Sequence, residues 1–164
     1  MVHQMESVYL ETTVISYLVA RPSRDLQVAA HQQTTHEWWE TQSSRFDCCI
    51  SQAVVDEISN GDPDEVRKRL EAVRGLTMLA TVEAVNSLTK SILKSGIIRI
   101  KASQDAVHVA VASVHEIDYL LTWNCKHLAN AQIMRRIGRV CETFGKRPPI
   151  ICTPDELFED RTHD

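Results

Sequence analysis

The sequence predicts an α/β fold built on a parallel sheet that helices cover on both faces. Three observations predict it. Short β-rich runs alternate with stretches of helical periodicity, the pattern of strands joined by helical crossovers. The 164 residues suffice for one compact domain with a real core and are too few for two. No internal repeat, low-complexity tract or linker interrupts the alternation.

SVYL is the first strand, followed by a helix through Val14, Ile15 and Leu18 that stops near Arg21-Pro22. A polar helix runs from about Asp25 to Thr41 and carries Trp38 and Trp39. FDCCI is the second strand. Ser51 can cap the helix of QAVVDEISN, and Asn60-Gly61 can end it. Asp62-Pro63-Asp64-Glu65 has the layout of a capped helix start, with proline at the first position and glutamate at the third. LTMLA is a strand or an extended connector. VEAVNSLTKSILKSG is an amphipathic helix closed by Gly96, and IIRI is a short extended candidate. DAVHVAVASVHE is helical and apolar nearly all round, which predicts burial. DYLLTW is another strand, a helix through Met134 and Ile137 follows, and PPIIC is the last strand. Thr153-Pro154-Asp155-Glu156 repeats the capping-box layout. One domain over 1–158 is expected, with a short tail at 159–164.

Hydrophobic residues make up 43% and charged residues 24%, the balance of an ordinary globular protein. No apolar run is long enough to span a bilayer. The start, MVHQMES, lacks the basic and then apolar layout of a secretory signal. Cys48, Cys49, Cys125, Cys141 and Cys152 are an odd set without CxxC spacing. They read as reduced thiols and not as a zinc site or disulfide frame, so a cytoplasmic protein without membrane contact is expected. A net charge of −4 argues against broad electrostatic capture of nucleic acid. It leaves room for a small basic strip, or for a metal that handles phosphate directly.

Four separated apolar runs end in an acid or an amide: SVYLETT, CISQAVVDEIS, ASQDAVHVAVA and YLLTWN. Glu11, Glu57, Asp105 and Asn124 are therefore the candidate site residues. Carboxylates brought together out of bulk water repel, and without a counter-charge one or more must take up a proton. A divalent cation relieves the repulsion, and acid or amide oxygens suit a hard ion, Mg2+ with Mn2+ as its substitute. Open parallel sheets form sites beyond the carboxyl ends of their strands, and Glu11 and Asn124 directly follow two predicted strands. In QAVVDEIS, Val54, Val55 and Ile58 mark the apolar face. At about 100° per residue Glu57 falls on the border of that face and Asp56 on the opposite side. Asp105 lies in the first turn of the apolar helix, where the dipole and free N–H groups favour a carboxylate.

Each residue alone has a plainer reading. Glu11 is also a polar residue leaving a strand, with Thr12 or Thr13 capping the next helix. Glu57 is also a solvated helix acid, Asp105 a helix starter, and Asn124 a turn residue with Thr122 bonding backbone nearby. His108 and His115, seven apart on the apolar helix, read as satisfied edge residues of the core. Lys126 and His127 are candidate RNA contacts or a solvated loop. Of Trp38 and Trp39 at least one belongs to core or interface, and base stacking is the lesser reading. Arg135, Arg136, Arg139, Lys146 and Arg147 read as a solvated face, or as a surface for RNA backbone or an acidic partner. Cys125 has no paired histidine logic for a nucleophile.

The combined pattern resembles the PIN domain, and more closely the VapC-type toxins of prokaryotic toxin–antitoxin pairs. The matching segments are YLETTVISYL, SQAVVDEIS followed by NGD, QDAVHVAVAS and LLTWNCKHLANA, with a closing IICTPDEL. They cover nearly the whole chain in the right order. The resemblance implies a three-layer sandwich with a short central parallel β-sheet flanked by helices. It also implies metal-dependent cleavage of RNA by a homodimer that a small antitoxin neutralises. Glu11 matches the acid ending the first strand, Glu57 the glutamate after the second, Asp105 the aspartate opening the buried helix, and Asn124 the position after the fourth motif's strand. Two positions depart. The first acid is usually Asp, and the fourth residue is often Asp, here a neutral Asn. Weaker metal binding, with one firm ion in place of two, is the expectation.

Within that chemistry Glu11 and Asp105 are the expected inner ligands. Glu57 binds through water or orients the attacking water. Asn124 accepts from a metal-bound water but cannot act as a base. Thr12 and Thr122 support the geometry. Water as nucleophile leaves a 5′-phosphate and a 3′-hydroxyl. The alternative from another class is a catalytically silent PIN-like module that binds nucleic acid or protein. A phosphatase of small substrates has no support, because the sequence carries no aspartyl nucleophile motif or phosphate-cradling glycine loop.

Overall fold

The computed structural model describes residues 4–159. Five strands, β1 (Ser7–Leu10), β2 (Asp47–Ser51), β3 (Thr77–Leu79), β4 (Tyr119–Leu121) and β5 (Ile150–Cys152), form one parallel sheet. Their order is β3-β2-β1-β4-β5. β1 is central: Val8 lies opposite Cys48 on one side and Tyr119 on the other. Val8, Tyr9 and Leu10 are all fully buried, as a strand covered on both faces must be.

The chain first builds outward from β1 through β2 to β3, then returns to β4 and builds the other way to β5. Right-handed crossovers run in opposite directions put their helices on opposite faces. α1 (Thr12–Val19), α2 (Leu26–Thr41), α3 (Gln52–Ile58) and α4 (Pro63–Ala72) belong to the first two crossovers, and α1 packs on the other three. α5 (Glu83–Lys94), α6 (Ser103–Val114) and α7 (Ala131–Thr143) belong to the last two, and α5 packs on α6 and α7. The result is the expected α/β sandwich of helices around a short parallel sheet.

Local chemistry sets the element ends. Asp25 caps α2 by accepting from the Gln27 and Val28 N–H groups, and Asp62 caps α4 through Asp64 and Glu65, with Pro63 at the first position. Gly96 follows α5 at φ +73°, a conformation that a side chain resists. Thr153 N–H donates to Glu156 Oε2 at 2.8 Å, closing the capping box. Trp38 is fully buried and its indole N–H donates to the Leu157 carbonyl at 2.9 Å, which makes it a core residue.

Two expectations change. IIRI forms no strand: Ile98 is buried while Ile100 is 81% exposed and opens a 3-10 turn at Ile100–Ala102. Ser51 sits at the N-cap of α3 but makes no capping bond, and its hydroxyl lies 2.7 Å from the Tyr9 hydroxyl. Of the tail at 159–164 only Glu159 is described; residues 160–164 lie outside the described residues, as do residues 1–3. No described helix is long and apolar enough to cross a membrane. The five cysteines are free thiols.

Candidate metal centre

The strand order reverses between β1 and β4. Chains leaving their carboxyl ends diverge to opposite faces there, which opens a crevice. Glu11 follows β1, and its N–H donates to the Leu121 carbonyl at 3.0 Å. It is also the N-cap of α1, so its carboxylate reaches the N–H of the second helical residue, Thr13, at 3.0 Å. The Thr13 hydroxyl donates to the same oxygen at 2.5 Å and the Thr122 hydroxyl at 2.9 Å. All three bonds fall on Oε2, which leaves Oε1 without a hydrogen-bond partner among the described residues although Glu11 is only 3% exposed. The buried Thr12 Oγ1 has no hydrogen-bond partner among the described residues. The threonines that bond Glu11 are Thr13 and Thr122.

Glu57 comes from α3 and is half-buried; its neighbour Asp56 is exposed and pairs with Gln52 at 2.8 Å. Glu57 Oε1 lies 2.5 Å from His108 Nε2. Donor atoms of Glu11, Glu57 and His108 all lie within 4.8 Å of one another. Asp105 stands three residues before His108 on α6, outside that tight group. Its Oδ2 accepts from Asn124 Nδ2 at 3.2 Å. Asn124 Oδ1 accepts from the His127 N–H at 3.0 Å, so the amide turns its N–H2, and not its oxygen, toward the acid. Lys126 and His127 line a pocket of about 470 Å³ with Arg99, Lys101 and Ala102. Asn124 thus bridges the acidic cluster to this basic rim.

The electrostatics follow from burial without a strong cation. Among the described residues no lysine or arginine pairs with Glu11, Glu57 or Asp105. Burial pushes the Glu11 carboxyl up, and His108, Thr13 and Thr122 only partly offset it. Burial also raises Asp105, against the lowering influence of His108, His127 and Asn124, and the Glu57 charge adds to the rise. A donor set rich in carboxylate oxygen, with free lone pairs and an unmet demand for positive charge, fits a hard divalent ion. His108 is less free to ligate, because both its ring nitrogens already have partners.

Sequence reasoning missed His108, Thr13, Arg99 and Lys101 as neighbours of the site. A signal existed for His108: it lies three positions after Asp105, on the same side of one helix.

No protein-family model matches the chain, and no curated protein matches it. Solved structures do. VapBC2 from Rickettsia felis, bound to a DNA fragment from its promoter, matches at TM-score 0.59 and 14% identity over 89% of this chain and 97% of the other. FitAcB from Neisseria gonorrhoeae matches at TM-score 0.55 and 16% identity over 92% and 99%. FitAB bound to the IR36 DNA fragment matches at TM-score 0.53 and 16% identity over 94% and 99%. At such identity the likeness is one of fold, and the topology is the PIN-like sandwich that the sequence motifs imply.

Proposed function

We propose that this protein is a metal-dependent endoribonuclease of the VapC toxin type, with Glu11, Glu57 and Asp105 holding Mg2+ or Mn2+. The observation that carries the reading is the gathering of Glu11 and Glu57 from separate crossovers within 4.8 Å of each other, with no arginine or lysine paired to them among the described residues. When bound, the ion supplies charge neutralisation at the phosphate and a more acidic water. The chain's own residues do the rest. Glu11 is locked by Thr13 and Thr122, so one oxygen stays presented. Glu57 orients the attacking water or binds the ion through it. Asn124 steadies Asp105, and Lys126 and His127, joined by Arg99 and Lys101, receive RNA phosphates flanking the cut.

The fold shared with VapBC2 and FitAB supports a protein partner for this chain, and the family resemblance of the sequence extends the reading to a small antitoxin and a homodimer. A short open reading frame beside the gene is an inexpensive check. The decisive assay is cleavage of one RNA with Mg2+, with EDTA, and by folded Glu57→Ala and Asp105→Asn variants. Undiminished cutting in EDTA rejects the proposal. The engaged oxygen of Asn124 keeps one second reading alive, a PIN-like module without catalysis, which need not bind Mn2+ and does not cut in its presence.

A further inference from the structure

Behind the acidic cluster, four polar side chains from four elements form one hydrogen-bonded chain. Ser51 Oγ lies 2.7 Å from Tyr9 Oη, Tyr9 Oη lies 2.6 Å from His108 Nδ1, and His108 Nε2 lies 2.5 Å from Glu57 Oε1. Ser51, Tyr9 and His108 are each 0% exposed. Buried polar groups are costly unless bonded, and a core needing only volume is served by Phe and Leu at these positions. The chain also ends on Glu57, an acid that neither Thr13 nor Thr122 supports.

The protons can be assigned from valence. An ionised carboxylate only accepts, so Nε2 carries a hydrogen. Across these two contacts a ring with a single hydrogen carries it on Nε2. Nδ1 is then a lone pair and accepts from the Tyr9 hydroxyl, whose oxygen accepts in turn from Ser51. Burial pushes the Tyr9 phenol far up, which keeps it a donor.

We propose that His108 is a positioning residue for Glu57: Tyr9 and Ser51 fix its ring as the Nε2–H tautomer, and the ring fixes Glu57 Oε1, leaving Oε2 for a cation. Outer partners of this kind commonly set the orientation and affinity of a metal-binding carboxylate. The inference rests on the reading of Glu57 as part of a metal site.

The test is calorimetric titration of Mn2+ into the metal-stripped full chain, in a cycle of Tyr9→Phe, His108→Gln and the double variant. Tyr9→Phe is expected to weaken Mn2+ binding about tenfold. Glutamine at 108 offers an amide N–H2 that needs no tautomer, so Tyr9→Phe should lose its effect in that background. An equal loss in both backgrounds marks a merely structural tyrosine and overturns the proposal. Long-range 1H–15N spectra of the Mg2+-saturated wild type supply an arm free of variants: hydrogen on Nε2 supports the relay, and hydrogen on Nδ1 overturns it. Absence of Mn2+ binding to the wild type is the failure of the metal reading and takes this inference with it. Binding with an Nδ1–H ring is the failure of the relay alone.

Discussion

β1 and β4 carry an acid at each end of their shared seam, and the two ends treat it in opposite ways. At the amino end Asp118 Oδ2 accepts from the Ser7 N–H at 2.9 Å and the Ser7 hydroxyl at 3.0 Å, and Oδ1 pairs with Arg147 at 3.2 Å. Burial alone would push its carboxyl up, but Ser7 and Arg147 outweigh that and hold it below the ordinary aspartate range. At the carboxyl end Glu11 is buried more deeply and has threonines but no lysine or arginine partner among the described residues, and its carboxyl is pushed up. The amino-end acid is complete as it stands and ties the strands together. The carboxyl-end acid is left wanting a positive charge, which is what a cation site requires and a structural acid avoids.

The largest contrast is expected in cleavage. Glu57→Ala or Asp105→Asn should lower Mg2+-dependent RNA cleavage by at least about 100-fold, given the several kcal/mol a metal contributes to such chemistry. Asp118→Asn should leave the rate per folded molecule unchanged; parity of the two ends in this assay would erase the comparison. Basic-rim changes come next. Arg99→Glu with Lys126→Glu should raise KM several-fold, reduce its salt dependence and spare kcat.

Stability sharpens the comparison through its sign. A carboxyl raised on folding ionises more easily in the unfolded chain, so metal-free stability falls as pH rises from the ordinary glutamate range toward the folded value. Glu11→Gln should therefore raise the thermal midpoint in EDTA at pH 7 while abolishing the upward shift that Mn2+ gives the wild type. A carboxyl lowered on folding does the reverse. Its contribution is complete above the unfolded aspartate pKa and is lost as pH falls through the lower folded value. Asp118→Asn should cost about 1 kcal/mol at pH 7 and little at pH 2, measured by urea unfolding. The smallest effect is expected from Thr13→Val, which removes one of three bonds to Glu11 and should weaken Mn2+ binding only a few-fold.

Strands and helices were legible because a parallel sheet buries whole apolar runs and its crossovers carry their own caps, as Asp25 and Asp62 show. IIRI misled because a short run with three isoleucines does not reveal whether a neighbouring strand is available. Glu11 and Asn124 were legible from their places after strands, and Glu57 over Asp56 from helical phase. His108 was not, since an imidazole on an apolar helix reads as core. Its meaning lies with Tyr9 and Glu57, 99 and 51 residues away along the chain. Thr12 and Thr13 are identical letters, and only the geometry tells them apart. The N-cap carboxylate reaches the second N–H of the helix, and this selects Thr13.

Calorimetric titration of Mn2+ into the metal-stripped wild type, Glu57→Ala and Asp118→Asn tests the unequal treatment of the two ends most directly. The account predicts saturable binding to the wild type, equal binding to Asp118→Asn, and none to Glu57→Ala. Binding that survives in Glu57→Ala, or is absent from the wild type, contradicts it.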